Sequence, residues 1–136
     1  MALQFPSDAW AKAFQDDINQ SESYAEAAKN WEGDFYFVIE PEGSMTKRVI
    51  LYLDLWHGKS REAFEVKDEA EKKPAFRMTA PISTWKQVIY KKLDPLQGLM
   101  TNKIKLVGNM AMVMRNVKAA KELVEATTRL DTVFPD

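Results

Sequence analysis

Lys103-Ile-Lys-Leu-Val-Gly-Asn-Met-Ala-Met-Val-Met114 carries two structural periods in one short run. Ile104 and Leu106 alternate with Lys103 and Lys105, the period-two pattern of a half-buried strand. Gly108-Asn109 breaks that strand, and Met110, Val113 and Met114 then share one side of a helical turn or two. Immediately upstream, Asp94-Pro95 is an N-cap followed by proline at the first helical position, which predicts a short helix with Leu96, Leu99 and Met100 inward. Before it, Pro81 opens a helix whose Ile82, Trp85, Val88, Ile89 and Leu93 form one stripe. After it, residues 117–130 read as a terminal helix. Short helices on both sides of one isolated strand set this half of the chain apart from a generic α+β pattern.

The first half supplies the rest of the sheet. Asp34-Phe-Tyr-Phe-Val-Ile39 is aromatic and β-branched, as strands are. Pro41 to Ser44 forms a turn, residues 48–56 a longer strand, His57-Gly58 a tight turn, and residues 61–66 a third strand, giving an antiparallel meander. Residues 67–73 read as a charged, solvated loop and Pro74 to Thr79 as a fourth strand. Ahead of the meander, Ser7 or Asp8 caps a helix over 8–20 with Trp10, Ala13, Phe14 and Ile18 on one face. Ser21 or Ser23 caps a second helix bearing Tyr24, Ala27, Ala28 and Trp31, with Gly33 as its stop. The expected fold is α+β, a five-stranded, mostly antiparallel sheet covered by helices, in one domain spanning 1–136. Both parities of the 48–56 strand are apolar, so both sides need a cover, from helices or from a partner. Homodimerisation is therefore among the expectations.

Composition narrows function by exclusion. A chain of 136 residues with 46% hydrophobic content makes one domain with a real core, able to bury roughly 70% of its unfolded surface. It has no cysteine and one histidine, which excludes disulfides, iron–sulfur clusters, thiol nucleophiles and multi-histidine metal sites. A net charge of −1 argues against a dedicated nucleic-acid binder. No cofactor or metal is expected. The first residues lack a basic n-region and an apolar stretch, and no apolar run approaches the ~20 residues of a membrane span, so a cytoplasmic location is expected.

The segment from Ala75 to Asn116 resembles the lipid-binding domain of the sterol carrier protein 2 family. Phe76 to Thr79, Trp85 to Lys92, Leu93-Asp94-Pro95 leading into Leu99-Met100, and above all Lys103 to Met114 carry the resemblance. Upstream, Arg48 to Lys59 looks like the family's long strand and turn. The likeness spans roughly Trp31 to Val117. Asn102 stands where the family often has glycine, and Ala80-Pro81-Ile82 replaces an acidic helix start. The resemblance implies an apolar tunnel between sheet and helices holding a sterol, fatty acid, acyl-CoA or other lipid, with no reaction catalysed. The alternative expectation is a dimerisation or protein-interaction module of the same fold, its tunnel filled by its own side chains.

A lipid site needs apolar, adaptable walls, which methionine provides. Met100, Met110 and Met114, beside Leu96, Leu99 and Val113, are the candidate residues of one wall. Trp85, Val88 and Ile89, facing Phe35, Phe37, Ile50 and Tyr52 on the strands, are those of the other. Between Lys86 and Lys121 eight basic residues stand against the single acid Asp94, so this segment is about +7 and the remainder correspondingly acidic. Lys91, Lys92, Lys103 and Lys105 are the candidate contacts to lipid headgroups or to an anionic membrane surface. His57 reads as a turn histidine, with a small hydrolase built on it as the remote alternative.

Overall fold

Alternation along the strands sets the sheet and divides its two faces. The computed structural model describes residues 2–135. After a two-residue strand β1 (Leu3–Gln4) come β2 (Glu32–Glu40), β3 (Val49–Trp56), β4 (Lys59–Glu65), β5 (Phe76–Pro81) and β6 (Lys105–Val107). The last five lie in the order β4-β3-β2-β5-β6. β2, β3 and β4 form the antiparallel meander, β6 is antiparallel to β5, and β5 alone runs parallel to its neighbour β2. The parallel pair arises because the chain leaves β4 at one edge and crosses the sheet before forming β5.

The crossing segment answers which faces are covered. Odd-numbered residues of β2 and β3, such as Phe35, Phe37, Leu51 and Leu53, share one face with the helices. Even-numbered Tyr36, Val38, Ile50 and Tyr52 form a separate buried cluster with Val66 on the other. Over that second face lies the chain's own segment 66–73, which includes a 3₁₀ turn at Glu69–Glu71. It is pinned by the Tyr36 hydroxyl, which lies 3.1 Å from the Glu69 carbonyl and accepts the Lys72 N–H at 3.0 Å. Glu69, paired with Arg48 and Arg77, holds it from above. The loop expected to be simply solvated is thus the second cover of the sheet.

Among the described residues, six α-helices complete the fold: α1 (Asp8–Gln20), α2 (Glu22–Ala27), α3 (Ile82–Ile89), α4 (Pro95–Met100), α5 (Met110–Met114) and α6 (Val117–Thr128). Ser7 caps α1 by accepting the Trp10 N–H at 3.1 Å. The polar side of α1 then closes the edge of the sheet: Asp8 Oδ1 accepts the Glu65 N–H, and Asn19 Oδ1 accepts the Ser60 N–H while its Nδ2 donates to the Ser60 carbonyl. Free strand N–H groups on β4 are thereby occupied rather than offered to another chain. Asp94 caps α4 and Asn109 caps α5, each side chain accepting a first-turn N–H.

Gly108 is required where β6 meets α5. Its φ is +139°, and a Cβ there would stand 2.7 Å from the Phe76 ring and 2.9 Å from the Ala75 carbonyl. The two departures from the family pattern also find physical reasons. Asn102 has φ +62°, a left-handed conformation that glycine favours and asparagine tolerates best among the others. The acid missing from the start of α3 comes from the β2–β3 turn, where Glu42 Oε1 accepts the Ser83 N–H at 2.9 Å.

Several boundaries differ from the sequence reading. Helix α2 ends at Ala27 and Gly33 lies inside β2, because the chain turns at Ala28 to bring Trp31 beside the β3–β4 turn, its carbonyl accepting the His57 N–H at 2.8 Å. Helix α3 ends at Ile89, which leaves Leu93 outside its stripe. Strand β1 pairs in parallel with the two-residue β7 (Thr132–Val133), and neither is long enough to show a period in sequence.

Candidate functional site

An apolar cavity of about 130 Å³ lies between the odd-numbered face of the sheet and the helices. The sheet contributes Phe35, Phe37 and Ile39 from β2, Leu51 and Leu55 from β3, and Met78 from β5. Opposite them stand Trp10 and Phe14 of α1, Tyr24 of α2, and Trp85, Val88 and Ile89 of α3. Val113 of α5 and Ala119, Ala120, Leu123, Val124 and Thr127 of α6 close the wall.

The aromatic part of the wall is braced by ring contacts. Trp85 meets Phe37 edge-on, with centroids 5.8 Å apart at 89°, and Phe37 stacks on Phe35 at 5.2 Å. Trp10 sits between Phe5 and Phe14, at 4.7 and 5.0 Å. The polar edges of the tryptophans turn away into protein partners: Trp85 Nε1–H donates to the Val38 carbonyl at 3.1 Å, and Trp31 Nε1–H to the Gly33 carbonyl at 3.0 Å. Nearly all of what remains toward the cavity is carbon. Such a surface holds apolar molecules and disfavours water, which needs two to four polar partners to be stable inside a protein.

The structure separates the residues expected at this site. Phe35, Phe37, Trp85, Val88, Ile89 and Val113 line the cavity together. Ile50 and Tyr52 do not, because their parity puts them on the opposite face, where the Tyr52 hydroxyl donates to Asp34 Oδ2 at 2.8 Å. The methionine wall is also displaced. Met100 is 69% exposed and Met110 38%, since α4 and α5 are short and bury only the sides carrying Leu99 and Val113. Leu96 and Met114 pack against the core, and Leu99 is buried in it, but none of the three is part of the lining. Aromatic rings from α1 and α2, and the small residues of α6, take the place assigned to methionine. The stripe Ala119, Ala120, Leu123, Val124, Thr127 was available as a signal, because it repeats at helical spacing along one face of α6.

Lys92, Lys103 and Lys105 are exposed, and Lys91 is paired with Glu125. They share residues 91–118 with exposed apolar side chains, Met100, Val107, Met110 and Val117. His57 has both ring nitrogens engaged, Nδ1 with the Lys29 carbonyl at 2.8 Å and Nε2 with Glu32 at 2.6 Å. It ties the β3–β4 turn to the end of α2 and leaves neither nitrogen to activate a nucleophile. Among the described residues, no group of acidic or histidine side chains could hold a metal ion.

Comparison with known proteins agrees with this architecture. A crystal structure of sterol carrier protein 2 superposes with a TM-score of 0.80 at 33% identity, covering 91% of this chain and 97% of that one. A solution structure of a conserved hypothetical protein from Thermus thermophilus gives 0.83 at 34%, covering 92% and 88%. Sterol carrier protein 2 from Yarrowia lipolytica, in its apo form, shares the fold at 18% identity, with a TM-score of 0.59 over 85% and 87% of the two chains. No curated protein matches the chain. Residues 11–121 match the SCP-2 sterol transfer family, and they contain the five-stranded sheet, α2 to α5 and most of the cavity wall. The chain belongs to the SCP-2 sterol transfer family, whose domains bind and transfer lipids.

Proposed function

We propose that this protein is a non-enzymatic lipid carrier that holds the apolar part of its ligand in the cavity between sheet and helices. The observation that carries the reading is the lining itself: it contains no Lys, Arg, His, Asp or Glu. Each ligand methylene moved from water into such a wall gains about 0.8 kcal/mol. Selection then rests on shape and apolar area, with little hydrogen-bond readout.

Volume bears on what is carried. A dry cavity of roughly 150 Å³ holds a benzene-sized molecule, so about 130 Å³ admits a ring or a short acyl segment. A sterol or a long acyl chain requires the walls to part. Delivery falls to the basic segment. Lys92, Lys103 and Lys105, interspersed with Met100, Val107 and Met110, pair charge with apolar side chains in the way that suits an anionic membrane surface.

Native mass spectrometry of the purified protein tests the carrier reading. A co-purifying lipid mass, or stoichiometric uptake of an added lipid, is the expected result. A bare mass that takes up no lipid would contradict carriage and leave the fold as an interaction module, and the same spectrum reads monomer against dimer.

A further inference from the structure

Tyr24 differs from every other polar side chain around the cavity. Trp10 Nε1–H donates to Thr132 Oγ1 at 2.9 Å, Thr127 Oγ1–H to the Val124 carbonyl at 2.6 Å, and Asn116 Nδ2–H to the Met112 carbonyl at 2.7 Å. With Trp31 and Trp85 also satisfied, these groups have protein partners. Tyr24 is only 1% exposed and lines the cavity, yet among the described residues its hydroxyl makes no hydrogen bond, the backbone N–H capped by Ser21 being its only polar link to a side chain. No side-chain oxygen or nitrogen that is wholly shut off lacks a partner, so the phenolic oxygen retains a sliver of accessible surface. A buried hydroxyl left unpaired is costly, and the cost is recovered when something supplies the missing partner.

Burial pushes the Tyr24 phenol far above its ordinary value, so the hydroxyl is neutral and can both donate and accept. The lining offers no cation to an ionised carboxylate, and a charge buried without a counter-charge is strongly disfavoured. The group that meets Tyr24 is therefore neutral.

Resting on the lipid-carrier reading, we propose that Tyr24 is a specificity-determining residue whose hydroxyl hydrogen-bonds the one neutral oxygen group, a hydroxyl or carbonyl, of an otherwise apolar ligand. The site then prefers neutral oxygen-bearing lipids over hydrocarbons of the same size, and it does not take a carboxylate head inward.

The test uses 1-octanol, n-octane and octanoate with the whole protein and with Tyr24→Phe, followed by isothermal titration and ligand-observed NMR. In the wild type octanol binds, and in Tyr24→Phe its affinity falls about two- to tenfold, the loss of one neutral hydrogen bond, while that of octane is unchanged or tighter. Octanoate binds the wild type more weakly than octanol at neutral pH. Equal octanol affinity in the two proteins, or octanoate binding as tightly as octanol and losing affinity with it in Tyr24→Phe, would overturn the proposal while leaving lipid carriage standing. Binding of none of the three would contradict carriage itself. A readout that needs no variant comes from ¹³C-labelled tyrosine: octanol is expected to move the Tyr24 Cζ resonance by more than octane does, and equal shifts would overturn the assignment.

Discussion

Asp8 binds helix α1 to the edge of the sheet through one carboxylate. The Glu65 N–H, donating at 2.9 Å, and then the Lys12 ammonium hold its pKa below the ordinary value. The folded state thus binds this proton less readily than the unfolded state. Its contribution is fully present above the ordinary value of 3.8 and is lost as pH falls through the lower, folded value. Glu42, held down by the Ser83 hydroxyl and N–H, and Glu69, held down chiefly by Arg77, act in the same direction. Asp8→Asn is expected to be less stable than the wild type in denaturant unfolding at pH 7, by an amount that is constant down to about pH 5 and shrinks below pH 4. A difference that stays the same to pH 2 would show that the carboxylate charge contributes nothing. Some of this detail was legible in the sequence and some was not. Ser7 and Asp94 announce themselves as caps because capping is local, within three residues of the donor. Glu42 capping α3 and Asp8 capping a strand edge are long-range, and no local pattern carries them.

The β3–β4 turn and α2 determine each other's position. His57 and Gly58 have φ of +49° and +82°, the paired left-handed conformation of a tight hairpin turn. A Cβ on Gly58 would also stand 2.8 Å from the Ala25 backbone, one residue from Tyr24. Gly58→Ala is expected to cost roughly 1–3 kcal/mol in denaturant unfolding, from the left-handed conformation and the displaced helix together. A loss under a few tenths of a kcal/mol would show that α2 is not held by the turn. Helix α6 offers a test of the opposite kind. Ala120 lines the cavity, and Ala120→Leu adds an isopropyl group to its wall, so lipid uptake is expected to fall at least tenfold in titration while the protein stays folded. Undiminished uptake would place the ligand elsewhere. The strands of the five-stranded sheet and most helices could be read from periodicity, but the cavity wall only in part. The parity of β3 stayed open because Ile50, Leu51, Tyr52 and Leu53 are all apolar, and only the cover of segment 66–73, bound through Tyr36, separates the two faces. Methionine composition was a poor guide because exposure follows the short lengths of α4 and α5, which residue type does not encode.

Across the whole molecule, the net positive charge and most of the exposed large apolar side chains fall in one segment. The segment from Lys86 to Lys121 has a net charge of about +7 in a chain whose net charge is −1, and exposed Met100, Val107, Met110 and Val117 fall within it. No helix among the described residues is long and apolar enough to cross a membrane. Each lysine near an anionic surface contributes about 1 kcal/mol, falling off within a Debye length of about 8 Å at physiological salt. Co-sedimentation with vesicles rich in phosphatidylserine is expected at low salt, to weaken at high salt, and to be reduced in the double variant Lys103→Glu, Lys105→Glu. Binding indifferent to headgroup charge would leave these lysines as a solvated face. The central claim, that lipid occupies this cavity, has a built-in reporter. Three of the four tryptophans, Trp10, Trp31 and Trp85, line or border it, while Trp56 is 39% exposed on the far side of β3 with Arg61 over its ring. Titration with a brominated fatty alcohol, a contact quencher, is the most direct measurement. Saturation is expected to extinguish most of the emission and leave a remainder that Trp56→Phe removes; emission that stays unchanged, or a loss confined to the fraction that Trp56→Phe removes, would contradict the account.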